Sequence, residues 1–232
     1  MAGRRRWSTD EILDTATKLL RANDAESFSV RKLAAVLGTD SSSLYRHFRD
    51  KTELMRAVAD RVLLDAMDGY RPAGDWKQRI TAVALRLRAT FGEQPQLAVI
   101  WGRYASSGAG SRLVMEEILG ALQASGLPDE EIPRRYHRIV ILVSSLIASE
   151  AGIGSLAPEE HEHAMELFRV AVLGADPERF PALSHFAREV RPLGVDRGAA
   201  FEEILAAQLA HIEAAIGPSR PTGPGADGGQ RR

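Results

Sequence analysis

The chain has 232 residues, 44% of them hydrophobic, enough for a sizeable core and few for three ordinary domains. With 30 Lys+Arg against 31 Asp+Glu the formal net charge is -1, so any affinity for nucleic acid has to be local rather than that of a polycation. The absence of cysteine excludes disulfide scaffolds, thiolate zinc sites, iron-sulfur clusters and cysteine nucleophiles together, and agrees with a reducing cytoplasm.

Arg4, Arg5 and Arg6 are followed by Ser8, Thr9, Asp10 and Glu11 instead of the apolar run of a signal peptide, which predicts a cytoplasmic protein. The longest apolar stretch, Ile139 to Ala148, is interrupted by Ser144 and Ser145 and falls well short of the ~20 residues a membrane span needs. Sustained alternation of apolar and polar residues is missing, while apolar positions recur at spacings of three and four. The expected fold is all-α.

In chain order, Ser8 and Glu11 form a capping box that opens a first helix with Ile12, Ala16, Leu19 and Leu20 inward. Ser29 caps a second helix that buries Leu33, Ala34 and Leu37 and stops at Gly38, where a left-handed C′ residue is favoured. After the turn Gly38-Thr39-Asp40, a third helix is expected over Ser41 to Phe48, with Leu44 and Phe48 facing in. Asp50 and Glu53 repeat the capping pattern and open a longer helix through Leu54, Val58, Val62, Leu63 and Met67. Further helical patterns run from Trp76 to Phe91, Pro95 to Tyr104, Ser111 to Ser125, Asp129 to Ile153, Pro158 to Leu173 and Arg197 to Ile216, punctuated by Gly and Pro. Gly217 to Arg232 is rich in Gly, Pro and small polar residues and reads as a disordered tail. The expected organisation is a head over 1-56, a helical regulatory and dimerisation domain over 57-216, and the tail over 217-232.

Residues 1-56 carry 11 Lys+Arg and 8 Asp+Glu, a balance of +3, against 19 and 23, or -4, in the remainder. Two short helices joined by a glycine turn, the second bearing small hydroxyls with Tyr, Arg and His, match a helix-turn-helix whose second helix enters a major groove. A helical hairpin with a Gly turn also occurs as plain structure, so spacing alone leaves both readings open. The strings Phe28-Ser29-Val30-Arg31-Lys32-Leu33-Ala34-Ala35-Val36-Leu37-Gly38 and Ser43-Leu44-Tyr45-Arg46-His47-Phe48-Arg49-Asp50-Lys51-Thr52-Glu53-Leu54 closely resemble the DNA-binding domain of TetR-family transcriptional regulators. The resemblance implies a DNA-contacting set of Ser29, Arg31, Ser41, Ser42, Ser43, Tyr45, Arg46, His47 and Lys51. In that set Arg31 and the three serines meet base edges, and Tyr45, His47 and Lys51 hold phosphates. Thr39 departs from the Val usual in the family's turn, and Ser42 stands where Gly or Pro is frequent, which bears on the operator sequence. Arg4 to Arg6 read either as an arm reaching an adjacent groove or as a solvated basic terminus.

Gly74-Asp75-Trp76, Leu122 to Leu127, Phe180-Pro181-Ala182-Leu183 and Phe201 to Ile212 resemble the regulatory domain of the tetracycline-repressor subgroup. That resemblance implies a homodimer and an enclosed small-molecule effector; from the residues themselves no cofactor and no metal are expected. Ile139, Leu142, Val143 and Leu146, on a helix too apolar for one covered face, and Phe201, Leu205, Leu209 and Ile212, on the last helix, are the expected dimer interface; the alternative is monomer core. Met67, Leu87, Phe91, Trp101, Tyr104, Met115, Tyr136 and His137 are the expected cavity lining. Leu97 to Tyr104 lacks the histidine with which tetracycline repressors help hold a magnesium-drug chelate and offers Trp101 instead, which argues against tetracycline as effector.

His161-Glu162-His163 beside Glu159 and Glu160 looks like a metal cluster, but alternating positions on a helix point about 200° apart. With no phosphate-binding Gly loop, GxSxG elbow or HExxH, no catalytic residue is expected. The function read from the sequence is a ligand-responsive, DNA-binding regulator, a repressor by family resemblance. The competing class is an all-helical interaction or scaffold protein without sequence-specific DNA binding, which a gel shift separates.

Overall fold

The computed structural model describes residues 6-22, 28-103, 107-154, 157-190 and 197-216, which form eleven helices and, among these described residues, no strand. Arg4, Arg5, Tyr104 and the tail lie outside the described residues.

The first four helices begin where a side chain accepts the N–H groups that a helix start leaves unpaired. Ser8 Oγ accepts from the Glu11 amide at 3.2 Å while the Glu11 carboxylate accepts the Ser8 amide at 2.9 Å, opening α1 (Thr9–Ala22). Ser29 Oγ accepts from Lys32 N at 3.1 Å and starts α2 (Val30–Val36), which ends before Gly38 at φ 63. Asp40 caps α3 (Ser41–Leu44) through Ser43 N at 2.9 Å, and Asp50 caps α4 (Lys51–Met67) through Glu53 N at 2.8 Å. The third helix is shorter than the sequence pattern predicts. Beyond Leu44 the chain closes on itself through His47 N and Phe48 N, both donating to Leu44 O, so Phe48 reaches the core from a turn.

α1, α2, α3 and the first half of α4 enclose Ile12, Ala16, Leu20, Leu33, Leu44, Phe48 and Leu54. The second half of α4 buries Val62, Leu63 and Ala66 among the helices that follow: α5 (Trp76–Gly92), α6 (Pro95–Arg103) and α7 (Ala109–Ala124). A 17-residue helix spans about 25 Å, so α4 is one rod shared by two clusters that merge into a single apolar core. α8 (Ile132–Gly154) runs against α5, α6 and α7, and α11 (Arg197–Glu213) lies on α8. Between α8 and α11 come α9 (Pro158–Leu173), in which Val172 alone is buried, and α10 (Pro181–Phe186), a six-residue helix that periodicity did not announce.

Two contacts tie the rod to the body. α7 has no capping side chain of its own at Gly108; the Asp60 carboxylate of α4 supplies it, accepting Gly110 N at 3.1 Å and Ser111 N at 2.8 Å. The backbones approach so closely that only glycine fits at 110, where a Cβ would stand 2.3 Å from the Asp60 carbonyl oxygen. Past the end of α4, Tyr70 Oη donates to Glu117 Oε1 at 2.9 Å and Arg79 Nε to the same oxygen at 2.8 Å, a largely buried knot joining α5 and α7. Desolvation, then the neighbouring Glu117, push the Tyr70 phenol up to about 12.

Six of the eight expected dimer residues need correction. Ile139, Val143, Phe201, Leu205, Leu209 and Ile212 are buried within one chain, and Leu142 and Leu146 half-buried. The reason is that α8 packs on α5, α6 and α7 with one face and on α11 with another, which covers Ile139, Val143 and Ile147 within the chain and leaves Ile141 exposed. Arg88 stacks over the Phe201 ring at 4.9 Å and bonds Glu150 at 2.8 Å, and Lys77 pairs with Glu213 at 2.7 Å, which seats α11 on its own body.

Candidate nucleic-acid interface and cavity

The helix-turn-helix presents its polar side chains on the outside of the head. Arg31, Ser42, Tyr45, Arg46, His47 and Lys51 are exposed, and Ser29, Ser41 and Ser43 half-buried. Each carboxylate nearby is occupied by the backbone: Asp40 by Ser43 N, Asp50 by Glu53 N, and Glu53 by Arg49 N at 2.5 Å. The Asp50 carboxyl sits below the ordinary carboxylate range, chiefly because the Glu53 amide donates to it. Acidic groups thus serve as caps while the cations face outward, an arrangement that attracts phosphate.

Within the expected contact set the side chains are differently committed. Ser29 is a cap, so its oxygen already holds Lys32 N. Ser42 Oγ donates to the Asp40 carboxylate, which fixes its rotamer at the start of α3. Arg46 reaches Ser43 Oγ at 3.1 Å, and His47 Nδ1 lies 3.1 Å from Thr9 Oγ1, linking the turn to α1. Lys51 Nζ donates to the Phe28 carbonyl at 2.9 Å and sits 5.7 Å from the Phe28 ring centroid, so here it ties α4 to the start of α2. Asp40, which starts α3, escaped the sequence reading as a cap; its signal was an Asp directly before a Ser-Ser-Ser-Leu helix start.

In the body a cavity of about 360 Å³ opens between α5, α7 and α8, with Trp101 of α6 and Leu63 of α4 in its wall. Of the eight expected lining residues, Leu87, Trp101, Met115, Tyr136 and His137 reach it. Met67 does not, being buried near the end of α4 toward a different surface hollow with Tyr70 and Leu113. Phe91 stands behind Trp101, rings parallel within 9° and centroids 4.7 Å apart, and meets a separate hollow on the other side. Tyr104 is outside the described residues. Ile139 and Val143, expected at a dimer seam, line this cavity, as do Ile80, Val83, Val114 and Ile118, which the sequence reading passed over. Their signal was ordinary helical periodicity, which marks a buried face without telling packed core from cavity wall. Among the described residues no group of three or more His, Asp or Glu is placed to hold a metal ion, and no helix is long and apolar enough to cross a membrane.

A capped helix-turn-helix with outward cations, carried on a rod that runs into a helical body, defines a DNA-binding transcriptional regulator. The family model for bacterial regulatory proteins of the TetR family matches residues 12-58, and the tetracyclin repressor-like C-terminal domain matches residues 69-216. The chain belongs to the TetR family. It is 27% identical over 216 residues to the HTH-type transcriptional repressor Rv1353c of Mycobacterium tuberculosis, spanning 87% of this chain and 78% of that protein. A structural-genomics crystal structure from Streptomyces coelicolor A3(2) is 73% identical and covers 91% of this chain and 99% of its own, with TM-score 0.78. ActR of Streptomyces coelicolor, solved in complex with actinorhodin, is 25% identical with TM-score 0.80 over 92% of this chain and 100% of that one.

Proposed function

We propose that the protein is a homodimeric, cytoplasmic repressor, released from an operator of two-fold symmetry by a small molecule that fills the cavity between α5, α7 and α8. The observation that carries this reading is α4: Leu54 at one end belongs to the core of the DNA-binding head, and Leu63 near the other belongs to the cavity wall. No loop intervenes to absorb a displacement. The head, residues 1-56, therefore moves with the wall of the regulatory body, residues 57-216. A ligand that prefers a widened cavity draws α7 away from α4 and re-aims the heads, since it shifts the equilibrium by its differential affinity for the two arrangements. ActR supports the reading as a relative of the same fold with small molecules bound.

Arg31 with Ser41, Ser42 and Ser43 read bases in this proposal, and Tyr45, Arg46 and His47 hold phosphates. Dimerisation uses surface the monomer leaves uncovered, not the seam expected from sequence. Ile141 of α8, Leu167, Val170 and Leu173 of α9, Phe186 of α10 and Ile204 of α11 are large apolar side chains between 40% and 58% exposed. Exposed apolar side chains of this size are the surface a partner can cover, and the symmetry of a two-fold operator asks for a second copy.

The test is a footprint of the full chain on the DNA upstream of its own gene, followed by competition with a library of small molecules. Protection of an inverted repeat, relieved by a compound that also raises the melting temperature, is the expected result. Binding equal on random DNA, or protection that no stabilising compound relieves, defeats it.

A further inference from the structure

The walls of the cavity limit the chemistry of what fills it; the inference rests on the reading of that cavity as the effector site. None of its lining residues is Asp, Glu, Lys or Arg, and the imidazole of His137 belongs to an exposed residue. A carboxylate, phosphate, ammonium group or metal chelate would surrender its hydration for no opposite charge, so a charged effector is disfavoured. Two side chains supply more than apolar surface. The Trp101 indole is fixed from behind by the parallel Phe91 ring, which does not itself line the cavity, so Trp101 offers a rigid aromatic platform. Tyr136, on α8, lines the same cavity; its ring meets His137 edge-on, and its hydroxyl has no hydrogen-bond partner among the described residues. Met115 on α7 adds a polarizable thioether, the kind of contact ring edges favour.

We propose that the effector is an uncharged, flat aromatic molecule that stacks on Trp101 and accepts a hydrogen bond from the Tyr136 hydroxyl. Burial pushes the Tyr136 phenol up from its ordinary value, so it stays protonated and remains a donor at neutral pH. An aliphatic ligand of equal volume fills the space but forgoes the stacking, and an aromatic hydrocarbon without an acceptor leaves the hydroxyl unpaired.

The experiment uses the full chain and four probes of similar outline: 2-acetylnaphthalene, 2-naphthoate, 2-acetyldecahydronaphthalene and naphthalene. Binding is followed by titration calorimetry, and operator release separately by fluorescence anisotropy. The neutral aromatic ketone is expected to bind about tenfold or more tightly than the anion and the saturated ketone. Tyr136→Phe should weaken the ketone by about five- to tenfold and leave naphthalene no weaker, while melting temperature reports that the variant is folded. Trp101→Leu should remove the preference for the aromatic over the saturated ketone. Failure of 2-acetylnaphthalene to bind, equal affinity for the anion or the saturated ketone, or an unchanged Tyr136→Phe affinity overturns the proposal. Release of the operator by the anion or the saturated ketone would keep the inducer reading and sink the aromatic one. Tight binding of the aromatic ketone with both variant effects but no release would do the reverse.

Discussion

Replacing Gly110 by alanine perturbs the junction between the DNA-bearing rod and the cavity at one atom. The new Cβ would lie 2.3 Å from the Asp60 carbonyl oxygen, 2.5 Å from Leu64 N and 2.9 Å from Leu63 Cβ. The first two neighbours are α4 backbone and cannot rotate aside, so α7 must retreat by about 1 Å to reach ordinary contact distance. Overpacking of this kind costs typically ~1 to 3 kcal/mol. The same retreat loosens the hydrogen bonds from Gly110 N and Ser111 N to the Asp60 carboxylate, where a bond to a charged group contributes about 1.5 to 3 kcal/mol. Alanine recovers roughly 0.5 to 1 kcal/mol over glycine as a helix former. The net expectation is a loss of about 2 to 4 kcal/mol, which for a chain of this size lowers the melting temperature by roughly 4 to 16 °C in a calorimetric scan. Because Val114, Met115 and Ile118 of α7 line the cavity, the variant should also bind operator more weakly without effector, mimicking the ligand-shifted arrangement. An unchanged or raised melting temperature together with wild-type operator affinity would refute the idea that α4 and α7 are locked at this contact.

The other expectations concern separate parts of the molecule. Glu117→Ala leaves Arg79 and Tyr70 without their shared acceptor and should cost ~3 kcal/mol in urea unfolding, since a mostly buried cation loses its partner. The Tyr70 phenol is raised from 10.0 to about 12, so the folded state holds its proton where the unfolded chain has lost it. That contribution is complete below pH 10 and is lost as pH rises toward 12; the alkaline fall in stability should be smaller in Tyr70→Phe. Arg46→Ala should weaken binding to all DNA sequences alike and reduce the salt slope by about one, whereas Arg31→Ala should cost ~1 to 3 kcal/mol and relax preference at one base pair, both measured by anisotropy. Leu167→Glu combined with Phe186→Glu, at side chains 58% and 54% exposed, should leave the folded chain intact and shift its mass in light scattering from twice 25.3 kDa to one.

Local features were legible in the amino-acid order. Ser8 with Glu11, Ser29, Asp50 with Glu53, and Gly38 at φ 63 set the starts and stops of the head because a cap or a left-handed glycine acts on its own few residues. The strings around Arg31 and Tyr45-Arg46-His47 likewise placed a DNA-binding unit on those helices. Partnerships across long separations emerged with the packing of the helices. Periodicity in Ile139 to Ile147 and Phe201 to Ile212 said that these faces are covered; that Ile139, Val143, Ile147, Phe201, Leu205, Leu209 and Ile212 are covered by the chain's own helices, while Ile141 and Ile204 stay exposed, depends on how the chain closes. Asp60 capping a helix some fifty residues away, and Glu117 gathering Tyr70 and Arg79, leave no local trace, because a carboxylate on a half-exposed helix face looks the same whether its partner is water or another helix. The cavity is of the same kind: its walls share their periodicity with solid core, and a void exists only where packed helices fail to fill the space between them.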